Sequence, residues 1–276
     1  MDKLFGKDLA LNIKENLKIE FSKLNKKATL KIILIGDNPA SITYINYKMM
    51  FAKEVGVDAE LIRYSEKHDE ELIINDIQNL NKTSDSIIVQ LPLPNKFNTE
   101  KILDAVDYKK DVDGLSTLSQ KYLLNNHQEF YLKPATAMAV IKFMDHHKLD
   151  YVNQSVGIIG QSRLIGYPLK IIISRLNNNL KTYDIETTLA NSETHDLLIV
   201  ATGVPGLIKA HNVKKDAILI DVGFSKIDNK IYGDIDEESV SSKAKFLAPA
   251  LGSIGPVTVA MLFENILIAA LHNLKK

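Results

Sequence analysis

Apolar residues in the first third of the chain follow two different periods. The first period is helical, with apolar positions every three or four residues at Leu9, Ile13, Leu17, Phe21 and Leu24. This spacing predicts a helix over residues 7–26. Nearly continuous apolar runs then predict buried strands over residues 30–35, 59–64 and 86–90. Helices predicted over 41–56 and 69–81 separate these strands, and the resulting β-α-β-α-β order predicts a parallel sheet with right-handed crossovers.

The helix predicted over 41–56 has clear start and stop signals. Asn38 is a candidate N-cap, Pro39 fits the first helical position, and Gly56 is a candidate helix stop. Tyr44 and Lys48 are four residues apart, so they share one face of this helix. An aromatic ring can stack on a flat ligand and a primary amine can move a proton. The alternative interpretation of this pair is a solvated lysine over a half-buried tyrosine.

The second half of the chain repeats the alternation of strands and helices. A long helix is predicted over 134–148 and a second helix over 168–177, with strands over 156–160, 181–185, 196–201 and 217–222. A terminal helix is predicted over 257–274. We therefore expect an α/β protein of two domains joined by long helices. Residues 1–137, completed by the terminal helix 257–276, form one α/β domain, and residues 138–256 form a Rossmann-like nucleotide-binding domain.

Composition and charge narrow the classes of function. The 276 residues carry no net charge and contain no Cys. Zero net charge gives no electrostatic case for nucleic acid or an anionic membrane, and the lack of Cys excludes disulfides, thiolate catalysis and Cys-based metal sites. The N-terminus does not look like a signal peptide, and no run approaches the roughly 20 apolar residues of a membrane span. We expect a cytoplasmic protein without a nucleic-acid or membrane partner.

Candidate chemistry also follows the predicted strands. Gln90 ends the third strand, at the edge where open α/β sheets bind ligands. Asp113 lies in the stretch Lys110–Gly114, which is either an acidic turn or a carboxylate that accepts N–H groups of a heterocycle. Gly160–Pro168 places glycines between a strand and a helix, although the spacing differs from the dinucleotide fingerprint. Two adjacent histidines, at positions 146 and 147, point to different helix faces, so we expect no metal site.

Six motifs stand in a fixed order, and together they resemble the methylenetetrahydrofolate dehydrogenase/methenyltetrahydrofolate cyclohydrolase family over essentially the whole chain. The motifs are Y-x-x-x-K at 44–48, V-Q-L-P-L-P at 89–94, K-D-V-D-G at 110–114, G-x-S-x-x-x-G-x-P at 160–168, D-V-G at 221–223 and G-x-x-G-P-V-T at 252–258.

This resemblance implies a role for each matched residue. Lys48 matches the catalytic lysine, Tyr44 the ring that stacks on the folate, Gln90 the partner of the lysine, and Asp113 the carboxylate that binds the pterin. The matched cofactor-binding positions are Gly160, Gln161, Ser162, Ile165, Gly166 and Phe224. Gly252 and Pro256 belong to the loop that closes over the folate.

The resemblance also implies the activity. Methylenetetrahydrofolate is oxidised to the methenyl form with NADP, with NAD as a possible cofactor, and is then hydrolysed to formyltetrahydrofolate. The family works in one-carbon metabolism and purine biosynthesis, and it usually forms a homodimer through the cofactor domain. Proton transfer by a positioned side chain typically contributes roughly 10²–10⁴-fold to such a hydrolysis.

Departures from the family pattern keep one alternative within the family open, and a second alternative comes from another class of function. Pro134–Ala137 lacks a Cys and a Pro of the family pattern, which we expect to alter packing more than chemistry. Leu251–Pro256 keeps two glycines of the family loop and loses one. Gln161 replaces an arginine that the family often uses for the 2′-phosphate of NADP, and Glu186 follows the second strand of the cofactor domain, where an acid suits the ribose of NAD. The alternatives are a cyclohydrolase with a weak or NAD-linked dehydrogenase, and a non-catalytic folate- or nucleotide-binding regulator.

Overall fold

The computed structural model describes residues 1–128, 130–184, 187–227 and 230–274. The strands are β1 (Asp2–Lys3), β2 (Thr29–Ile35), β3 (Asp58–Tyr64), β4 (Ser86–Val89), β5 (Val156–Ile159), β6 (Leu180–Tyr183), β7 (Leu197–Val200), β8 (Ile218–Asp221), β9 (Phe224–Ile227), β10 (Lys230–Gly233) and β11 (Phe246–Ala248). The α-helices are α1 (Lys7–Ser22), α2 (Pro39–Val55), α3 (Glu70–Thr83), α4 (Thr99–Asp104), α5 (Thr117–Leu124), α6 (Ala135–His146), α7 (Gly166–Ser174), α8 (Glu237–Val240) and α9 (Ile254–Asn273).

The chain divides into two compact units. Leu11–Ala135 and Val259–Lys276 form the first, which we call the lysine unit because it holds Lys48. Met1–Ala10 and Thr136–Thr258 form the second, which we call the glycine-loop unit because it holds the loop that begins at Gly160. Each unit has its own parallel sheet.

The sheet of the lysine unit has the order β3-β2-β4, and all of its pairs are parallel. β2 is central because its run Leu30–Ile35 is apolar on both faces, so helices can cover both sides. The chain moves from β2 to β3 on one side and then to β4 on the other. The loops that follow β2 and β4 therefore flank a topological switch point, which is where open α/β sheets bind their ligands.

The sheet of the glycine-loop unit has six parallel strands in the order β1-β11-β8-β7-β5-β6. Its core contains inward-facing side chains such as Val200, Leu219 and Leu247. β9 and β10 form a separate antiparallel hairpin. β6 and β7 lie on opposite sides of β5, so this sheet has its switch point between β5 and β7.

The predicted alternation of strands and helices is confirmed, and the differences lie at ends and in short elements. α1 stops at Ser22, four residues earlier than predicted. α9 starts at Ile254 rather than at residue 257, because Pro256 fits its first turn, where no backbone N–H is needed. The two-residue β1, the three-residue β11 and the short helices α4, α5 and α8 were not predicted, because elements of these lengths carry little periodicity.

α9 is the one described helix that is long and apolar enough to cross a membrane by length and composition. Its most apolar window is 61% buried inside the protein. In the lysine unit it packs Leu262, Phe263 and Ile266 into the core beside β2 and α2. The sequence expectation that no run approaches this length was therefore wrong for α9, although a buried core helix accounts for its composition.

Candidate active site

Helix α2 carries Tyr44 and Lys48, and its local sequence accounts for where it begins and ends. The side chain of Asn38 accepts hydrogen bonds from the backbone N–H groups of Ala40 and Ser41. Gly56 ends the helix in the left-handed conformation, at φ 84°, which glycine adopts without a steric penalty. The capping predicted from the sequence is confirmed.

Lys48 lies on the buried face of α2. Only 8% of the residue is exposed, which is rare for a lysine unless it has polar partners. Its Nζ donates a hydrogen bond to Gln90 Oε1 at 3.0 Å and lies 3.7 Å from Asp113 Oδ2. Three of the residues singled out in the sequence are therefore brought together, at the switch point of the lysine unit.

The amide of Gln90 is oriented by its neighbours. Gln90 Nε2 donates to the backbone carbonyl of Leu91 at 2.9 Å, which leaves Oε1 facing Lys48. Ser41, one turn before Tyr44 on α2, donates to the same carbonyl at 3.1 Å. A carbonyl oxygen can accept a hydrogen bond from both the ammonium and the neutral amine, so Gln90 holds Lys48 in place without requiring one charge state.

The turn that carries Asp113 is built around a second, buried carboxylate. Asp111 accepts hydrogen bonds from the backbone N–H groups of Leu115 and Ser116, at 3.1 and 2.7 Å, and from Ser119 Oγ at 2.7 Å. Burial raises the pKa of Asp111, and these hydrogen bonds oppose the rise. Asp111 is thus the structural acid of the motif, and Asp113 faces the amine.

Two amide side chains clamp the rest of this turn. Asn265 of α9 donates from Nδ2 to the carbonyls of Val112 and Lys133, both at 2.8 Å. Gln120 donates to the carbonyl of Gly114 at 2.6 Å. Sequence reasoning missed both residues. Nothing local marks Asn265 as the partner of a turn more than 100 residues away, and no pattern in the sequence singles out Gln120, six residues from its partner Gly114.

Tyr44 is half-buried on the same face of α2 as Lys48. Burial raises the pKa of its hydroxyl to about 12, and the nearby Tyr47 adds to the rise. Tyr44 therefore stays neutral at physiological pH and offers an uncharged ring surface.

In the glycine-loop unit, the loop after β5 requires glycine at two positions. Gly160 has φ 96°, and a Cβ atom there would lie 2.2 Å from the carbonyl oxygen of Ala201. A Cβ atom on Gly166 would lie 1.7 Å from the carbonyl oxygen of Gly160. The loop therefore folds tightly onto itself and onto the end of β7, with the N-terminus of α7 directly behind it. Close backbone approach of this kind suits a dinucleotide phosphate.

The remaining cofactor candidates lie around this loop. Gln161 and Ile165 are half-buried, Ser162 is exposed, and Gln161 Nε2 donates to the carbonyl of Gly160 at 2.9 Å. Phe224 is half-buried at the start of β9. Glu186, on which the NAD alternative depends, lies outside the described residues.

Gly252 and Pro256 belong by their contacts to the glycine-loop unit. Gly252 has φ 83°, and its carbonyl accepts a hydrogen bond from the backbone N–H of Gly6 at 2.9 Å. Pro256 is half-buried in the first turn of α9. Their assignment to the folate loop stays a prediction.

Metal binding finds no support among the described residues, which contain no group of three or more His, Asp or Glu side chains that could hold an ion. The rings of His146 and His147 lie edge to face, with their centroids 4.9 Å apart. His147 uses Nε2 to hydrogen-bond the carbonyl of Phe5 at 3.0 Å.

Comparison with known proteins gives a consistent result. The family model "Tetrahydrofolate dehydrogenase/cyclohydrolase, catalytic domain" matches residues 4–113, and the NAD(P)-binding domain of the same family matches residues 134–274. A protein of Mycoplasmopsis synoviae called "Bifunctional protein FolD" is 37% identical over 95% of this chain and 97% of its own length. A protein of the same name from Hydrogenobaculum sp. is also 37% identical, over 98% of each chain.

Solved structures agree with the sequence relatives. The bifunctional methylenetetrahydrofolate dehydrogenase/cyclohydrolase of Campylobacter jejuni superposes with a TM-score of 0.93 at 32% identity and covers 99% of each chain. The NAD-dependent methylenetetrahydrofolate dehydrogenase of Saccharomyces cerevisiae has a TM-score of 0.79 at 18% identity, which shows a shared fold. The chain is therefore a member of the tetrahydrofolate dehydrogenase/cyclohydrolase family.

Proposed function

We propose that this chain oxidises methylenetetrahydrofolate to methenyltetrahydrofolate with NADP and hydrolyses the product to formyltetrahydrofolate. The observation that carries the proposal is the buried amine of Lys48, hydrogen-bonded to Gln90 Oε1 at 3.0 Å and placed 3.7 Å from Asp113 Oδ2 at the switch point of a parallel sheet. Family membership supplies the class of reaction, and this cluster supplies the groups that carry it out.

In the hydrolysis, water adds to the electron-poor methenyl carbon and protons must then move. Lys48 is the group that moves them, because it is a primary amine whose position is set by a neutral acceptor. Tyr44 stacks on the flat folate. Asp113 accepts hydrogen bonds from the pterin and lies beside the amine of Lys48. These three roles need the side chains in a fixed relation, which the hydrogen bonds of Gln90 and of the Asp113 turn supply.

In the oxidation, the dinucleotide supplies a ring that accepts the hydride. The glycine-loop unit fits such a cofactor, because Gly160 and Gly166 let the loop fold tightly in front of the N-terminus of α7, where backbone N–H groups can approach a phosphate. Gly160, Gln161 and Ser162 would hold the phosphates and ribose, with Ile165 and Gly166 closing the loop. Phe224 would meet the nicotinamide end through its backbone.

A second candidate is an NAD-linked or weak dehydrogenase on a working cyclohydrolase. It is favoured by the acidic end of β6, where Asp184 is exposed and accepts a hydrogen bond from the backbone N–H of Thr187 at 3.1 Å. A carboxylate near the 2′-phosphate of NADP would repel it. Dehydrogenase rates with NADP and with NAD at matched concentrations distinguish the two candidates. A preference for NAD would assign specificity to this acidic segment.

Lys48→Met tests the hydrolytic role. We expect methenyl hydrolysis to be lost while the folate still binds, because methionine keeps the length and apolar stem of lysine without the amine. Lys53→Met is the matched control, since Lys53 is exposed in the last turn of the same helix. Hydrolysis by Lys48→Met at the rate of the control would remove Lys48 from the mechanism.

We propose further that the lysine unit binds the folate and that the glycine-loop unit binds the dinucleotide. This assignment follows the predicted boundary between a first domain that ends at residue 137 and a nucleotide-binding domain that begins at residue 138. We also propose that the chain is a cytoplasmic homodimer. The support is the family membership and the balanced charge of the chain. A monomer by light scattering would argue against the dimer.

A further inference from the structure

The ligand crevice of the glycine-loop unit is bordered by two loops, and only one of them carries the glycine motif. The order of the sheet places the switch point between β5 and β7. The loop after β5 begins at Gly160, and the loop after β7 is Thr202–Gly206. The two loops approach closely, since a Cβ on Gly160 would lie 2.2 Å from the carbonyl oxygen of Ala201, the residue just before Thr202.

The loop after β7 is anchored by one buried carboxylate. Asp234 is fully buried. Its Oδ2 accepts hydrogen bonds from the backbone N–H of Thr202 at 2.5 Å, from Thr202 Oγ1 at 2.9 Å and from the backbone N–H of Gly203 at 2.9 Å. Hydrogen bonds to a charged group are worth about twice as much as neutral ones. The first two backbone donors of the loop therefore point into the protein rather than into the crevice.

Asp234 is itself held by the end of β8. The carboxylate of Asp221 accepts hydrogen bonds from the backbone N–H groups of Asp234 at 3.1 Å and of Ile235 at 2.9 Å. A Cβ on Gly223 would lie 2.0 Å from Asp234 Oδ2, so only glycine leaves room for this carboxylate. The loop after β7, the start of the β9–β10 hairpin and the end of β8 are thus joined through Asp234.

We propose that Asp234 is a positioning residue for the dinucleotide. It does not touch the cofactor. It fixes Thr202–Gly206 as the wall of the crevice opposite Gly160, and it withdraws the N–H donors of Thr202 and Gly203 from the phosphates, which leaves phosphate binding to the Gly160–Gly166 loop. This inference rests on the proposed dehydrogenase function of the same site.

The test compares Asp234→Ala with Asp234→Asn in the full-length protein. Alanine removes all three hydrogen bonds, whereas asparagine keeps one carbonyl oxygen that can still accept them. Asp236→Ala is the matched control, because the carboxylate of Asp236 accepts the backbone N–H of Ser239 at the start of α8, whereas the loop donors Thr202 and Gly203 bond to Asp234. NADP and NAD are each titrated by calorimetry, and the KM for the dinucleotide, kcat and methenyl hydrolysis are measured in parallel.

We expect Asp234→Ala to weaken dinucleotide binding at least tenfold and to raise the KM for the dinucleotide more than it lowers kcat. Asp234→Asn should restore most of the affinity, and methenyl hydrolysis should stay within twofold of the wild type, because hydrolysis needs no dinucleotide. If Asp234→Ala does not fold, Thr202→Val removes the hydroxyl that donates to Asp234 Oδ2 and accepts the backbone N–H of Val204. It keeps the backbone hydrogen bonds of Thr202 and Gly203 to Asp234 and should weaken binding about threefold.

Two results would overturn the inference. One is unchanged dinucleotide affinity in Asp234→Ala or, where that variant does not fold, in Thr202→Val. The other is a loss of methenyl hydrolysis that equals the loss of dinucleotide binding, which would indicate general damage. A wild-type protein that binds neither NADP nor NAD would instead overturn the proposed dehydrogenase function.

Discussion

Replacing Gln90 with glutamate tests how the lysine of the active site is controlled. Gln90 Oε1 accepts a hydrogen bond from Lys48 Nζ at 3.0 Å, and Asp113 Oδ2 lies farther away, at 3.7 Å. Gln90→Glu puts a second carboxylate in the nearer position with almost no change in shape. At 3.0 Å and an effective dielectric constant of about 20, the added attraction for the ammonium form is about 5 kcal/mol.

Desolvation of the new carboxylate offsets part of this attraction, so we expect a net preference for the ammonium form of about 3 kcal/mol, or roughly 100-fold. If Lys48 moves protons by passing through its neutral form, methenyl hydrolysis at neutral pH should fall by a similar factor. The rate should then recover as the pH rises, because the retained proton is lost only at higher pH. Methenyl disappearance is measured over a range of pH, under conditions where buffer-catalysed hydrolysis is subtracted.

Gln90→Met is the matched control, because it removes both hydrogen bonds of the amide without adding charge. It should lower the rate with no displacement of the pH profile. A pH profile for Gln90→Glu that coincides with the wild type would refute the reasoning, since a carboxylate at this distance must act on the charge of the amine.

Three further predictions concern residues that support the two sites. Asn265→Leu leaves the buried carbonyl of Val112 and the partly buried carbonyl of Lys133 without this donor, so we expect a loss of about 1–3 kcal/mol in urea unfolding and weaker folate binding. Burial raises the pKa of Asp221 to about 8, whereas the ordinary value of the unfolded chain is 3.8. Between these values the folded state keeps a proton that the unfolded chain has lost, so this group lowers the stability of the fold as the pH rises. The urea midpoint of Asp221→Asn should lack that decline. Gly166→Ala forces a methyl against the carbonyl of Gly160 and should abolish dinucleotide binding measured by calorimetry, whereas Gly56→Ala should cost only about 1 kcal/mol of stability and leave binding intact.

Local signals in the sequence were sufficient for α2 and for the strands around it. Asn38, Pro39 and Gly56 mark the ends of the helix by capping chemistry that involves only neighbouring residues. The spacing of Tyr44 and Lys48 places both on one face, because the helix period is fixed. The nearly continuous apolar runs identified β2 and β4, because a strand that is buried on both faces needs apolar residues at successive positions. The alternation of strands and helices then identified the parallel sheet to which both belong.

The contact between Lys48, Gln90 and Asp113 could be predicted only from the order of the motifs along the chain, because no local pattern indicates it. Gln90 could be placed at the carboxyl edge of a strand, but its hydrogen bond to Lys48 spans 42 residues. The resemblance to a family anticipated that bond, whereas the spacing of the residues did not. The alternative of a solvated lysine is contradicted by the burial of Lys48, of which only 8% is exposed.

The sequence by itself determined the succession of helices and strands and the caps of α2, because each depends on interactions within a few residues. Tertiary structure alone decided which polar groups support the sites. Asp111 became the buried anchor and Asp113 the partner of the amine, Asn265 reached a turn 153 residues away, and Asp234 fixed a loop 32 residues before it. A buried polar group must find a partner wherever the fold provides one, and that partner is set by packing between distant segments.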